Sequence, residues 1–165
     1  ALIPRKGQMF AIEALSELPG ALLVLAGAGQ DEADLRALAA ALGVADRVRF
    51  MGAVAHGELP VLLSAADVFV LPTASEGLAN AWVEALACGT PVVTTPIPGA
   101  KELLTDPAWG RMAERNGPAM AAAIRAVLAD PPPREAVARG ADGFSWEANA
   151  EGLVAHWRRL VERRR

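Results

Sequence analysis

At 165 residues the chain has the length of one domain with a substantial core. Apolar residues make up 53% of it, yet no apolar run approaches the roughly 20 residues that cross a bilayer, so a soluble protein is expected. A net charge of -3 with both signs interspersed leaves no broad electrostatic footprint for nucleic acid, which is not expected as a partner.

The first residues, Ala1 to Gly7, read as the tail of a strand leading into a loop, and the missing initiator Met suggests a fragment. Apolar positions Phe10, Ile12, Ala14, Leu15 and Leu18 predict an amphipathic helix over Gln8 to Leu18, ended by Pro19-Gly20. A short buried strand, Ala21 to Ala26, turns at Gly27-Ala28-Gly29 into a helix from Asp31 to Leu42. The alternation continues: strand Arg47 to Met51, helix Glu58 to Ala65, strand Val68 to Leu71, helix Leu78 to Ala87, strand Pro91 to Thr95. A short helix near Lys101 to Leu104 precedes an undetermined stretch from Asp106 to Arg115. Helices Pro118 to Leu128, Arg134 to Arg139 and Glu147 to Arg163 close the chain, with Asp130-Pro131-Pro132-Pro133 as a rigid break. This order predicts an α/β fold: a Rossmann-like parallel sheet with helices on both faces, ending in helices.

Two carboxylates stand out within "SEGLANAWVEALACGTPVV". Ligands of open parallel sheets bind outside the carboxyl ends of the strands, where Glu76 falls. In a helix starting near Leu78, Glu84 lies about 9 Å along the axis. Leu78, Trp82, Ala85 and Leu86 then form an apolar stripe, with Asn80 and Glu84 on the opposite face. Gly77 permits close backbone approach, and the helix's first amides are unpaired donors at the positive end of a dipole. A diphosphate there, flanked by carboxylates accepting from sugar and ribose hydroxyls, describes a nucleotide-sugar site.

The stretches "RKG" at Arg5 to Gly7, "LVLAGAGQ" at Leu22 to Gln30, "LGVADRVRFMG" at Leu42 to Gly52, "ELPVLLSAADVFVLPTASEGLANAWVEALACGTPVV" from Glu58 to Val93 and "PGAKEL" from Pro98 to Leu103 follow one another in a known order. The chain resembles the donor-binding, C-terminal domain of retaining glycosyltransferases of family 4, one half of the two-domain GT-B architecture. That resemblance implies an E-x7-E pair in which Glu76 contacts the donor sugar, as the catalytic residue, and Glu84 grips the ribose. It assigns Lys6 to the diphosphate, the amides of Gly77, Leu78, Ala79 and Asn80 to the distal phosphate, and Arg49, Phe50 and Met51 to the base pocket. The donor is then a UDP-, GDP- or ADP-sugar, with no cofactor beyond it. The leaving diphosphate helps remove the acceptor's proton, so stabilising it is the main work of Lys6 and the amides. The family's first strand, an arginine six positions before Lys6, and the acceptor-binding N-terminal domain would all lie upstream of Ala1, so this chain alone is expected to turn over little or nothing. A stand-alone nucleotide- or sugar-binding module is the alternative, and a sugar-nucleotide epimerase fits the motif less well.

Other features read as structural. Gly27-x-Gly29 lacks the third glycine of a dinucleotide fingerprint, since position 32 is Glu32. Cys88 suits core packing, and a lone cysteine without a leader fits a reducing cytoplasmic setting, at the inner membrane face for a lipid-linked acceptor. His56 and His156 have no ligand spacing, and no Asp-x-Asp pair is present, so no metal is expected. Leu153, Val154, Trp157, Leu160 and Val161 form a packing stripe, while Arg158, Arg159 and Arg163 to Arg165 suit a solvated face or, secondarily, peripheral contact with anionic lipid.

Overall fold

The structure, a computed structural model, describes residues 1–162. The arginines at 163 to 165, with the expected end of the last helix, lie outside the described residues. The helices are α1 (Gln8–Ser16), α2 (Glu32–Ala41), α3 (Leu59–Ala65), α4 (Asn80–Ala87), α5 (Pro98–Leu103), α6 (Gly117–Ala129), α7 (Arg134–Ala138) and α8 (Trp146–Glu162). The strands are β1 (Leu23–Ala26), β2 (Val48–Gly52), β3 (Phe69–Leu71), β4 (Val92–Thr94) and β5 (Gly110–Met112).

Every strand pairing is parallel, as crossover helices require, but hydrogen bonds divide the strands into two sheets: β1–β2 and β3–β4–β5. β5 emerges from the stretch that the sequence left undetermined. Gly110 makes its pairing with β4 possible, because a Cβ there would sit 1.9 Å from the Val92 carbonyl oxygen. The central strand β4 is buried throughout, and its alternating side chains enter opposite layers. Val92 packs with Leu71, Trp82, Ala85, Leu86 and Val137, whereas Val93 packs with Ala14, Met120, Ala121 and Ile124. The three-stranded sheet is thus covered by α4 and α7 on one face and by α1 and α6 on the other.

Helix α1 also reaches the second sheet. Its Ile12 and Leu15 join Leu25, Leu35, Ala39 and Val48 in a separate cluster, so α1 packs against both β1 and β3 and ties the two sheets together. The opposite side of β1 leaves Val24 exposed, as is Leu22 just before it. At the other end of the chain no residue of α8 is buried, and Leu153, Val154, Trp157, Leu160 and Val161 are all exposed. No helix among the described residues is long and apolar enough to cross a membrane.

The segment before α1 is not a strand tail. Ile3 leads into a single 3-10 turn, Pro4–Lys6, ended by Gly7 at φ 72. The buried Leu2 donates its amide to Ala28 O and accepts from Asp31 N, which pins this segment to the β1–α2 turn. Gly29 serves that contact, since a Cβ on it would lie 2.0 Å from Leu2 O.

Candidate functional site

The loop that follows β1 is held by Leu2, whose amide donates to Ala28 O, and the loop that follows β3 is held by Arg5, whose carbonyl accepts from Ala74 N, so the segment before α1 bridges the carboxyl ends of a strand from each sheet. In open α/β sheets ligands bind in the crevice outside the carboxyl ends of the strands. The Pro4–Lys6 turn and the loop from Pro72 to Ala79 meet there.

Buried threonines fix the loop. Thr94 Oγ1 donates to Leu71 O at 2.7 Å, and Thr95 Oγ1 donates to Thr73 O. The Pro4–Lys6 turn is held to the same loop by its carbonyls. Arg5 O accepts from Ala74 N at 2.8 Å and from Thr73 Oγ1 at 3.2 Å. Arg115 adds a clamp, donating through Nε to Pro72 O at 2.8 Å and through NH2 to Pro4 O at 2.7 Å. Gly7 allows the close approach: its φ of 72 favours glycine, and a Cβ there would lie 2.2 Å from Pro72 O.

This frame brings Lys6 to Glu76. Lys6 Nζ donates to Glu76 Oε1 at 2.6 Å and Arg5 NH1 donates to the same oxygen at 2.9 Å, while the glutamate side chain is only 14% exposed. Thr73 Oγ1 lies 3.3 Å from that oxygen as well. Burial alone would push the Glu76 carboxyl up, but the hydrogen bonds and charges of Lys6 and Arg5 together outweigh it and hold the group below its ordinary value.

Helix α4 starts at Asn80, two residues later than the apolar periodicity suggests, because Gly77 and Leu78 continue the bend of the loop. Leu78 is therefore not part of the buried stripe but is 45% exposed, whereas Trp82, Ala85 and Leu86 are buried as expected. Glu84 consequently stands about 6 Å, not 9 Å, along the axis from the helix start. It is half-buried, and no hydrogen bond or ion pair to its carboxylate is present among the described residues.

The helix has no side-chain cap at Ala79, and among the described residues the amides of Gly77, Leu78, Ala79 and Asn80 donate to no protein acceptor. A Cβ on Gly77 would enter open space, so the fold itself does not demand glycine there. The demand falls on Gly99, at the start of α5: a Cβ on it would lie 1.3 Å from the Gly77 carbonyl oxygen.

The third group of residues is not joined to this cluster. Arg49 NH1 turns back to Asp46 O at 2.7 Å, Phe50 lies under the Arg36 guanidinium at 4.1 Å, and Met51 is half exposed. No hydrogen bond or ion pair links them to Glu76 or Glu84 among the described residues. The sequence reading missed Arg5, Thr73, Gly99 and Arg115. The "RKG" motif contained Arg5, but its carboxylate partner lies 71 positions away.

Comparison with known proteins gives a consistent picture. The family described as "Glycosyl transferases group 1" matches residues 1–144. The chain is 38% identical over 157 residues to the GDP-mannose-dependent alpha-(1-6)-phosphatidylinositol monomannoside mannosyltransferase of Mycolicibacterium smegmatis, covering 88% of this chain and 41% of that protein. Among solved structures, the sucrose-phosphate synthase from Thermosynechococcus elongatus superposes with a TM-score of 0.82 at 30% identity, covering 97% of this chain and 43% of that one. HepE of Anabaena in complex with UDP-glucose gives a TM-score of 0.77 at 28% identity, covering 86% of this chain and 41% of that one. The chain thus spans less than half the length of these proteins.

Proposed function

Because the chain belongs to the glycosyl transferases group 1 family, we propose that it is the donor-binding part of a retaining, family 4 glycosyltransferase whose donor is a UDP-, GDP- or ADP-sugar. The observation that carries this reading is the meeting of Lys6 and Glu76, next to the uncapped start of α4, beyond the carboxyl end of β3. A cation and a set of unpaired amides beside one another suit a diphosphate, and a carboxylate at the same place suits sugar hydroxyls. Glu84, on the first turns of the same helix, takes the ribose hydroxyls, and the segment Arg49 to Met51 faces the base.

The chemistry follows from where charge develops. The bond from the sugar's anomeric carbon to the diphosphate oxygen breaks, and the acceptor oxygen bonds to that carbon on the same face. The acceptor's proton passes to the departing diphosphate. Lys6 and the amides of Gly77 to Asn80 stabilise the negative charge that accumulates on the leaving group, a contribution that grows towards the transition state. The acceptor is held by a further domain of the same polypeptide, and a lipid-linked acceptor brings that protein to a membrane surface.

Calorimetry on the full-length polypeptide with GDP, GDP-mannose, UDP, UDP-glucose and ADP-glucose tests the reading. Binding of at least one diphosphate nucleotide is the expected result. Glu76→Gln then weakens the intact donor far more than the bare nucleotide. Equal losses would contradict the assignment of Glu76 to the sugar, and binding without any transfer to an acceptor would leave a nucleotide-binding module.

A further inference from the structure

We propose that Arg5 is a positioning residue for Glu76, holding its carboxylate in place when the donor's diphosphate engages Lys6; this rests on the nucleotide-sugar reading above. The distribution of donors around Glu76 is lopsided. Oε1 receives Lys6 Nζ and Arg5 NH1, with Thr73 Oγ1 3.3 Å away, whereas no hydrogen bond to Oε2 is present among the described residues. One oxygen is thus saturated by the protein and the other is open to a hydroxyl.

The two cations differ in how they are tethered. The Arg5 guanidinium is anchored twice, since the same NH1 that meets Glu76 also donates to Ser75 O at 2.6 Å. Its backbone carbonyl is held by Thr73, Ala74 and Arg115. Lys6 Nζ has Glu76 as its one ion-pair partner among the described residues, and an ammonium on a flexible four-carbon stem reorients readily. When a diphosphate arrives, Lys6 is the cation free to turn towards it. The Glu76 carboxylate then sits beside a second anion and is repelled by it. Arg5 supplies the charge that keeps the carboxylate at the turn, with Oε2 left without a protein donor among the described residues.

This predicts a specific defect. In the full-length polypeptide, Arg5→Gln weakens GDP-mannose or UDP-glucose about two- to fivefold, the range expected of a half-exposed charge pair, while GDP or UDP binds as in the wild type. Arg5→Lys restores part of the loss by returning the charge on a more flexible, non-planar head group. In the Glu76→Gln background, Arg5→Gln adds nothing further, because its effect runs through the carboxylate. Parallel weakening of sugar donor and bare nucleotide, or additive losses in the double variant, would overturn the proposal and leave Arg5 as a structural tie to Ser75. If the wild type binds no diphosphate nucleotide, the functional reading falls and the role of Arg5 with it.

Discussion

The two glutamates at this edge are held by opposite means. Glu76 lies in a loop that does not by itself determine its direction; Lys6 and Arg5 aim it from about 70 positions away in the chain. Glu84 lies on a regular helix whose other face carries the buried Trp82, Ala85 and Leu86, so helical geometry alone aims it. The contrast shows what each position tolerates. A change that shifts the loop disarms Glu76 and leaves Glu84 in place, while the helix carries Glu84 through most changes in its surroundings.

The sharpest way to break the comparison is Gly99→Ala. The new methyl group would collide with the Gly77 carbonyl, 1.3 Å away, and backbone has little room to yield. The expected cost is about 3 kcal/mol in denaturant unfolding, the upper end for overpacking. Gly77→Ala is the matched control, because its methyl group enters open space. It should leave stability unchanged or slightly raised, yet lower donor affinity as the added group crowds the diphosphate. Equal destabilisation by both would mean that the loop is not seated on α5 as described.

Next in size is Lys6→Ala. Loss of a charge-assisted hydrogen bond costs about 1.5–3 kcal/mol, so nucleoside diphosphates should bind about 10- to 100-fold more weakly, with the nucleoside alone unaffected. Glu84→Gln sharpens the other side of the comparison. A neutral amide accepts more weakly than a carboxylate, so a loss of about 1 kcal/mol is expected, shared equally by bare nucleotide and sugar donor because both carry the ribose. Unchanged affinity in calorimetry would remove Glu84 from the ribose.

The same contrast governs what was legible in the sequence. The position of Glu84 followed from the spacing of Trp82, Ala85 and Leu86, a local signal. The alternating strands and helices through β4 were legible for the same reason. The start of α4 was misjudged because Leu78 fits the apolar period and Ala79 offers no capping side chain to mark the boundary. β5 escaped because it has three residues, two of them exposed, and depends on Gly110 lying against β4. The arginines that hold Glu76 and its loop were illegible as partners. Arg5 and Arg115 reach the loop across 70 or 43 positions of chain, and no periodicity encodes contacts of that range.

The smallest effect touches only the Glu76 side and is read through pH. Lys6 and Arg5 hold this carboxyl below its ordinary value of 4.5 despite burial, so in the acid range the unfolded chain binds a proton that the folded chain refuses. Stability from the cluster is therefore fully present above about pH 4.5 and is lost as pH falls through the lower, folded value. With the Arg5 side chain 48% exposed, solvent screens part of the attraction, and the contribution should stay under about 1 kcal/mol. Subtracting the unfolding free energy of Glu76→Gln from that of the wild type across pH 3 to 7 isolates it, with about that acid range chosen to span the ordinary carboxylate value. The difference should be flat near neutrality and shrink only in the acid limb. A difference that instead grows as pH falls would mean that burial, and not the two cations, dominates the environment of Glu76.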